Sequence, residues 1–360
     1  MLQRVAFVTA IPLNVAGGSG CYVGISTLAR AMERHGVQVD WITPKFHLPV
    51  YAAGRVLFNE SLRRRNFSAY DAVIGFDLDG YTLAPKTRHI ANIKGVLGDA
   101  VPFESGPTRL SLALQARLEA AHVRRADCVI TISQYCATRI RELYNCEKPI
   151  AIVPELIDLS QWRGLFRQAG DPKSDNRFRV LCVCRFYRRK RVDVLLRAAA
   201  LVWSKIPELE VRIVGGGPDA SALRKLGTEL GLDPIVRWLG DVKQADLACE
   251  YSNASLFCLP SAQEGFGIVL LEAMAAGKAI LATRSAAVPE VAPHGVLVEP
   301  NNPDALAQGL LRLYRDSSLR AAIAAQGLRL VEQYDCGKVA RQFMDVIETG
   351  GMKHSTSTNV

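Results

Sequence analysis

No apolar run in this sequence approaches the roughly 20 residues that a membrane-spanning helix needs. The chain therefore reads as a soluble protein, with peripheral contact at a membrane surface left open. Its nine cysteines lack the paired spacing of a zinc site. Cys182 and Cys184 stand one residue apart in an apparent strand, side chains to the same side, and the set reads as reduced core thiols of a cytosolic protein. A recognisable nucleic-acid module is also missing, and basic residues are scattered except at Arg63-Arg64-Arg65 and Arg188-Arg189-Lys190-Arg191. What remains is ordinary globular composition: 360 residues, 49% hydrophobic and 22% charged, enough for two domains with separate cores. The excess of 44 Lys+Arg over 35 Asp+Glu, a net +9, favours anionic partners.

In chain order, Val5 to Ile11 after Arg4 could pass for a signal-peptide core. A Gly-rich turn and an amphipathic helix follow it directly, so residues 4–11 read as a buried strand. Gly17-Gly18-Ser19-Gly20 forms the turn, the helix ends near His35-Gly36, and a strand from Val37 to Thr43 closes a βαβ unit. Such a unit implies a parallel sheet with a ligand crevice at the strand C-termini. The turn lacks the full dinucleotide fingerprint, and no acid is suitably placed after the second strand, which argues against a nicotinamide cofactor. Residues 44–68 carry no regular pattern and read as a solvated basic loop. A strand from Asp71 to Phe76 ends in Asp77-Leu78-Asp79-Gly80, whose Asp-x-Asp spacing matches a divalent-metal pair. The strand His89 to Ile93 leads into Lys94-Gly95-Val96-Leu97-Gly98-Asp99. A helix over 110–125, a strand over 127–132 and a helix N-capped by Ser133 complete a first domain over residues 1–159. Residues 160–177, with Gly164, Gly170 and Pro172, read as a linker.

A second domain over 178–335 opens with the strand Phe178 to Cys184. Arg185 falls at its end, and Lys190 precedes a helix with apolar positions at Val192, Leu195 and Leu196. A strand from Glu210 to Val214 runs into Gly215-Gly216-Gly217. The organising stretch follows a buried strand, Ala254 to Leu259, and runs from Gln263 to Gly277. Its Gly265 and Gly267 let backbone approach a ligand closely and leave N–H groups at a helix N-terminus, a natural anion site. Glu264 on the loop and Glu272, about two turns further on, flank that place. Carboxylates for hydroxyls and amides for phosphate together suit a sugar nucleotide. A Gly-rich turn alone is weak evidence, and the basic loop with Arg185 and Lys190 in the same domain sharpens it. Helices are expected over 303–316 and 317–333, an amphipathic segment over 336–349, and a disordered tail over 350–360.

Glu264 and Glu272 match a Glu-x7-Glu motif, and the chain resembles the family 4 retaining glycosyltransferases of GT-B architecture. The resemblance is clear from about Phe178 to Asp316 and weaker before that. The group includes sucrose-phosphate synthases and many bacterial mannosyl- and glucosyltransferases. Such membership implies an α/β fold of two Rossmann-like domains facing across a cleft, with helix 336–349 crossing back to the N-terminal domain. It also implies transfer of a hexosyl unit, with retention, from a nucleotide-diphosphate sugar to a hydroxyl acceptor on a glycan, lipid or small molecule. No metal or other cofactor is expected, so Asp77 and Asp79 are not read as metal ligands. Arg185 and Lys190 would stabilise the departing diphosphate as its charge grows, and Glu264 would hold the transferred sugar. Glu272 would bind ribose hydroxyls, with Gly18, Gly215, Gly265, Phe266, Gly267, Ile268 and Val269 completing the donor site. Asp79, Lys94 and Asp99 are acceptor-side candidates, and residues 44–68 have an acceptor-side or membrane-facing role as their alternative.

The chain departs from the family's pattern at three places. Lys94-Gly95 stands where many members have His-Gly, Glu155-Leu156 where Asn-Gly is usual, and Cys184 and Arg191 replace glycines beside Arg185 and Lys190. Two other readings stay open: a sugar-nucleotide epimerase or hydrolase, and a non-catalytic relative that keeps the donor pocket. The expected location is cytoplasmic, with peripheral contact at the inner face of the membrane left open.

Overall fold

The computed structural model describes residues 2–10, 20–45, 51–170 and 175–350. They divide into two units, one of Met1–Leu156 with Cys336–Val360 and one of Ile157–Asp335. The first holds strands β1 (Arg4–Val8), β2 (Gln38–Ile42), β3 (Ala72–Phe76), β4 (Arg88–Ile93), β5 (Cys128–Thr131) and β6 (Ile150–Ile152). The second holds β7 (Phe178–Val183), β8 (Leu209–Val214), β9 (Val236–Gly240), β10 (Leu256–Leu259), β11 (Ala279–Thr283) and β12 (Val296–Val298). Each set forms one parallel sheet, ordered β2-β1-β3-β4-β5-β6 and β12-β11-β10-β7-β8-β9. Parallel strands are covered on both faces and read as unbroken apolar runs. Ala72–Phe76 and Ala279–Thr283 are buried at every position.

In the first unit, helices Gly20–Arg34 and Cys336–Thr349 cover one face. Leu28, Met32, Val339 and Phe343 pack there with Val5, Phe7 and Ile74. The other face packs Ala6, Val8 and Val73 against Phe58 and Leu62. Those two residues belong to a helix, Tyr51–Leu62, where the sequence suggested a loop over 44–68. Arg55 and Asn59 explain the correction: both are buried polar residues on that helix, and they interrupt the apolar period by which an amphipathic helix is recognised.

The second unit's core joins β7, β8 and β10 to helices Val192–Val202 and Pro303–Arg315 through Leu195, Leu196, Leu306 and Leu310. The stretch 160–177 is not simply a linker. A helix, Leu159–Ala169, occupies its first part, N-capped by Asp158, which accepts from the Gln161 amide at 3.0 Å. It buries Trp162, so its glycine at 164 lies within a helix held by one apolar contact face. Ser133 caps Gln134–Tyr144 as expected, accepting from the Cys136 amide at 3.1 Å. The tail beyond Gly350 and the turn at Gly17-Gly18-Ser19, including the donor-site candidate Gly18, lie outside the described residues.

Candidate functional site

Counted within the second sheet, the strand order is 3-2-1-4-5-6, and it reverses between β7 and β10. In open α/β sheets the ligand crevice lies at such a reversal, beyond the carboxyl ends of the strands. The loop after β7 carries Arg185 and Lys190, and the loop after β10 carries Gln263, Glu264 and Gly265-Phe266-Gly267. One backbone tie and two side-chain ties fix the two loops together. Ala262 N–H donates to the Arg189 carbonyl at 2.8 Å, Arg189 Nε donates to Gln263 Oε1 at 3.0 Å, and Lys190 Nζ pairs with Glu264.

The third wall comes from β8. Phe186 N–H donates to the Gly216 carbonyl at 2.9 Å. Gly215, at φ +118°, approaches Cys184 so closely that a Cβ would lie 2.1 Å from the carbonyl oxygen. No side chain fits there, so this glycine presses the β8 exit loop onto the backbone that presents Arg185.

Arg191, which stands in place of a family glycine, takes a left-handed conformation at φ 50°. A non-glycine residue pays about 1 kcal/mol or more for that backbone. Its guanidinium makes a paired contact with Asp193, Nε to Oδ1 at 3.0 Å and Nη2 to Oδ2 at 2.9 Å, which holds the turn into the following helix.

Glu264 and Lys190 are each 12% exposed at the side chain, and Arg185 is 36% exposed with a long contact of 3.4 Å to Asp241. These charges stand at the mouth, and the Arg185 pair is of the weak surface kind that a ligand can displace. Gly267, at φ 86°, is the N-cap of helix Ile268–Ala275. Phe266 is buried, its ring edge-on to Tyr334 at 5.6 Å, so only its backbone is offered to the crevice. Ile268 and Val269 are half-buried in the first turn.

Glu272 lies inside that helix and is buried. Burial pushes its carboxyl up to about 7, opposed by the hydrogen bond from Tyr251. Tyr251 Oη donates to Glu272 Oε2 at 2.9 Å and is itself fully buried, with Trp162 edge-on at 5.9 Å. Helix Leu159–Ala169 therefore reaches the site through Trp162 and Tyr251. Sequence reading missed Tyr251, Asp241, Arg189 and Gln263. The last two sit within the quoted motifs, whereas no local pattern marks the tyrosine.

The first unit's candidates have a different setting. Its order, 2-1-3-4-5-6, reverses between β1 and β3, and Asp77-Leu78-Asp79 follows β3. Asp79 is wholly buried. Its carboxylate accepts from Arg55 Nε and Nη2 at 2.9 Å each, from Asn59 Nδ2 at 2.9 Å and from the Ala10 amide at 2.7 Å. With its lone pairs so engaged it holds the turn together. Among the described residues no group of three or more His, Cys, Asp or Glu side chains is placed to hold a metal ion.

Lys94 Nζ pairs with Glu155 Oε2 at 3.0 Å, with side chains 3% and 6% exposed. The two positions at which the sequence departs from the family's His-Gly and Asn-Gly are thus each other's partners. Asp99 accepts from Tyr135 Oη and Arg139 Nε, both at 2.7 Å. His122 Nδ1 donates to the Asp77 carbonyl, and burial keeps the ring neutral. Its Nε2 is then left to accept from His89 Nε2 at 3.0 Å.

The two parallel sheets and the grouped loops define the GT-B fold. The sucrose-phosphate synthase of Thermosynechococcus elongatus superposes with a TM-score of 0.80 at 21% identity, over 96% of this chain and 98% of that one. Residues 167–329 match the model of the family described as glycosyl transferases group 1. The D-inositol 3-phosphate glycosyltransferase of Corynebacterium urealyticum is 31% identical over 62% of this chain and 57% of its own length. The GDP-mannose-dependent alpha-(1-6)-phosphatidylinositol monomannoside mannosyltransferase of Mycobacterium tuberculosis is 28% identical over 68% and 66%. The chain spans about half the length of the first curated relatives it matches.

Proposed function

We propose that this protein is a retaining glycosyltransferase that moves a hexosyl unit from a nucleotide-diphosphate sugar to a hydroxyl acceptor. The observation that carries the reading is the meeting of Arg185, Lys190, Glu264 and the Gly265-Phe266-Gly267 backbone at the strand-order reversal of the second sheet. Such a place joins fixed cations, a carboxylate and a helix N-terminus, the groups that a sugar diphosphate requires. The names of the two bacterial relatives support the same reaction class and make GDP-mannose a first donor to test.

In this reading Arg185 and Lys190 receive the growing negative charge of the leaving nucleoside diphosphate. Lys190 has three donors, so it can keep Glu264 oriented while it meets a phosphate oxygen. Glu264 binds hydroxyls of the transferred sugar. Glu272, steered by Tyr251, binds the ribose. With cations supplied by side chains, the reaction runs without a metal. The first unit furnishes the acceptor side, and the protein works in the cytoplasm.

Thermal-shift measurement against UDP, GDP, ADP and their sugar conjugates, in EDTA and in magnesium, tests the donor site, because a ligand bound only by the native state raises Tm. The expected result is a shift with one nucleotide in EDTA that Arg185→Ala abolishes. A shift confined to magnesium would replace the metal-free mechanism, and no shift up to millimolar ligand would overturn the donor site. Sugar release without any acceptor would instead favour hydrolysis.

A further inference from the structure

A cavity of about 330 Å³ opens in the first unit at the amino-terminal edge of its sheet, opposite the strand carboxyl ends at which α/β crevices form. His89, the second residue of β4, and Asp127, directly before β5, line it. Arg63 follows helix Tyr51–Leu62 and Arg125 ends helix Gly106–Arg125, and both reach the same cavity. Leu83 and Pro85, on the stretch before β4, add an apolar wall. Ligand pockets run from roughly 300 to 1,000 Å³, so this one suits a small molecule.

Its donors and acceptors are only partly engaged. Glu60 takes one edge of Arg63, from Nε at 2.6 Å and Nη2 at 3.4 Å, and the Tyr81 carbonyl takes Arg125 Nη1. A guanidinium has five N–H groups, so both arginines keep donors for an anion. Lys148 Nζ adds a third cation, donating to the Arg124 and Ala126 carbonyls at 2.6 Å each. Asp127 accepts from the His89 amide through Oδ2 at 2.8 Å, which leaves Oδ1 as an acceptor. His89 is 3% exposed, and its tautomer is dictated from inside the fold. A carbonyl can only accept, so His122 Nδ1 carries the proton given to Asp77, its Nε2 is bare, and His89 Nε2 supplies the hydrogen between the two rings. Gly75 and Gly80 make room for the His122 ring, because a Cβ on them would lie 2.7 Å and 2.6 Å from it. Burial, then the neighbouring His122, Lys148 and Arg125, hold the His89 ring neutral, well below the ordinary imidazole range. Its Nδ1 is therefore an unprotonated acceptor, and it has no hydrogen-bond partner among the described residues.

We propose that this cavity binds a small phosphate monoester bearing hydroxyl groups, a polyol or sugar monophosphate. Arg63 and Arg125 meet the phosphate in charge-assisted contacts, for which the guanidinium fork is suited. One hydroxyl donates to His89 Nδ1 and another to Asp127 Oδ1, while the C–H face rests on Leu83 and Pro85. A neutral sugar would leave the arginines unanswered. A bare phosphate dianion has no proton to give, so it would leave the ring nitrogen and the carboxylate unanswered. The ester supplies both halves. The proposal is independent of the donor site, which lies in the other unit.

The test is isothermal titration of the full chain with glycerol 3-phosphate and glucose 6-phosphate, and with inorganic phosphate and glucose, each of which lacks one half of the ligand. At least one ester is expected to bind roughly tenfold or more tightly than either half. Arg63→Gln and Arg125→Gln should each weaken that binding by roughly tenfold or more, with the unliganded Tm close to wild type because both side chains are exposed. Arg185→Ala should bind the ester as wild type does. Nitrogen NMR of the histidine rings should show His89 Nδ1 shifting with the ester and holding still with inorganic phosphate. No binding of either ester up to millimolar concentration, inorganic phosphate binding as tightly as the esters, or an unmoved His89 Nδ1 would overturn the proposal. So would ester binding that survives both arginine variants and is lost in Arg185→Ala, since the ester would then occupy the donor site.

Discussion

The two sheets reverse their strand order at comparable places, yet the reversals are furnished in opposite ways. In the second unit Arg185, Lys190 and Glu264 keep partial exposure and ties that a ligand can exchange. In the first, Asp79 with Arg55 and Lys94 with Glu155 are buried and mutually satisfied. Similar topology thus yields an open ionic mouth in one unit and a locked ionic floor in the other. Burial separates them. A charge removed from water must be paired or it destabilises the fold, whereas a charge at the surface is free to serve a ligand.

The largest expected effect tests the locked side. Lys94→Met leaves Glu155 buried without its cation and should cost about 3–5 kcal/mol in urea unfolding. Lys94→Met with Glu155→Leu should recover much of that loss. If the single variant is no less stable than the double, the pair is not what holds this floor.

Next comes the open side. Arg185→Ala should slow sugar transfer by about 10²–10³-fold while shifting stability by no more than about 0.5 kcal/mol. Activity within a few-fold of wild type would remove the arginine from the leaving-group site.

Glu272 belongs to the second unit but is buried like the first unit's acids, so it sharpens the contrast through pH. Its carboxyl rises from an ordinary 4.5 to about 7, so the folded state holds the proton more tightly than the unfolded chain does. That contribution is fully present below pH 4.5 and is lost as pH rises through about 7. Asp77 and Glu119 are raised by burial in the same sense, so the difference between wild type and Glu272→Gln must be followed. The variant should gain on the order of 2–3 kcal/mol relative to wild type across that window. A difference that does not vary with pH would show that Glu272 titrates normally.

The smallest effect is that of Tyr251→Phe, which removes the hydroxyl donated to Glu272. It should cost about 1–2 kcal/mol near neutral pH and raise the Glu272 pKa further. Unchanged stability together with an unchanged pH profile would show that the hydroxyl does not support the carboxylate.

Much of the second unit was legible in the sequence because its signals are local. Ala279–Thr283 is an unbroken apolar strand, Glu264 and Glu272 share one short segment, and Arg185 follows its strand directly. Helix Tyr51–Leu62 was not legible, since the inward Arg55 and Asn59 look like surface residues until Asp79 is known to lie opposite them. Helix Leu159–Ala169 was hidden by its glycine and polar residues, and its burial rests on Trp162 meeting Tyr251, 89 positions on in the chain by their residue numbers.

By itself the sequence determined the alternation of strands and helices, the two-domain class and the charged groups at the strand ends, because each follows from neighbours along the chain. Only the tertiary structure decided which charges are spent on one another. Lys94 and Glu155 lie 61 residues apart and Lys190 and Glu264 lie 74 apart. The first pair is enclosed and the second keeps a small exposure, and that difference in solvation is set by packing that no local pattern records.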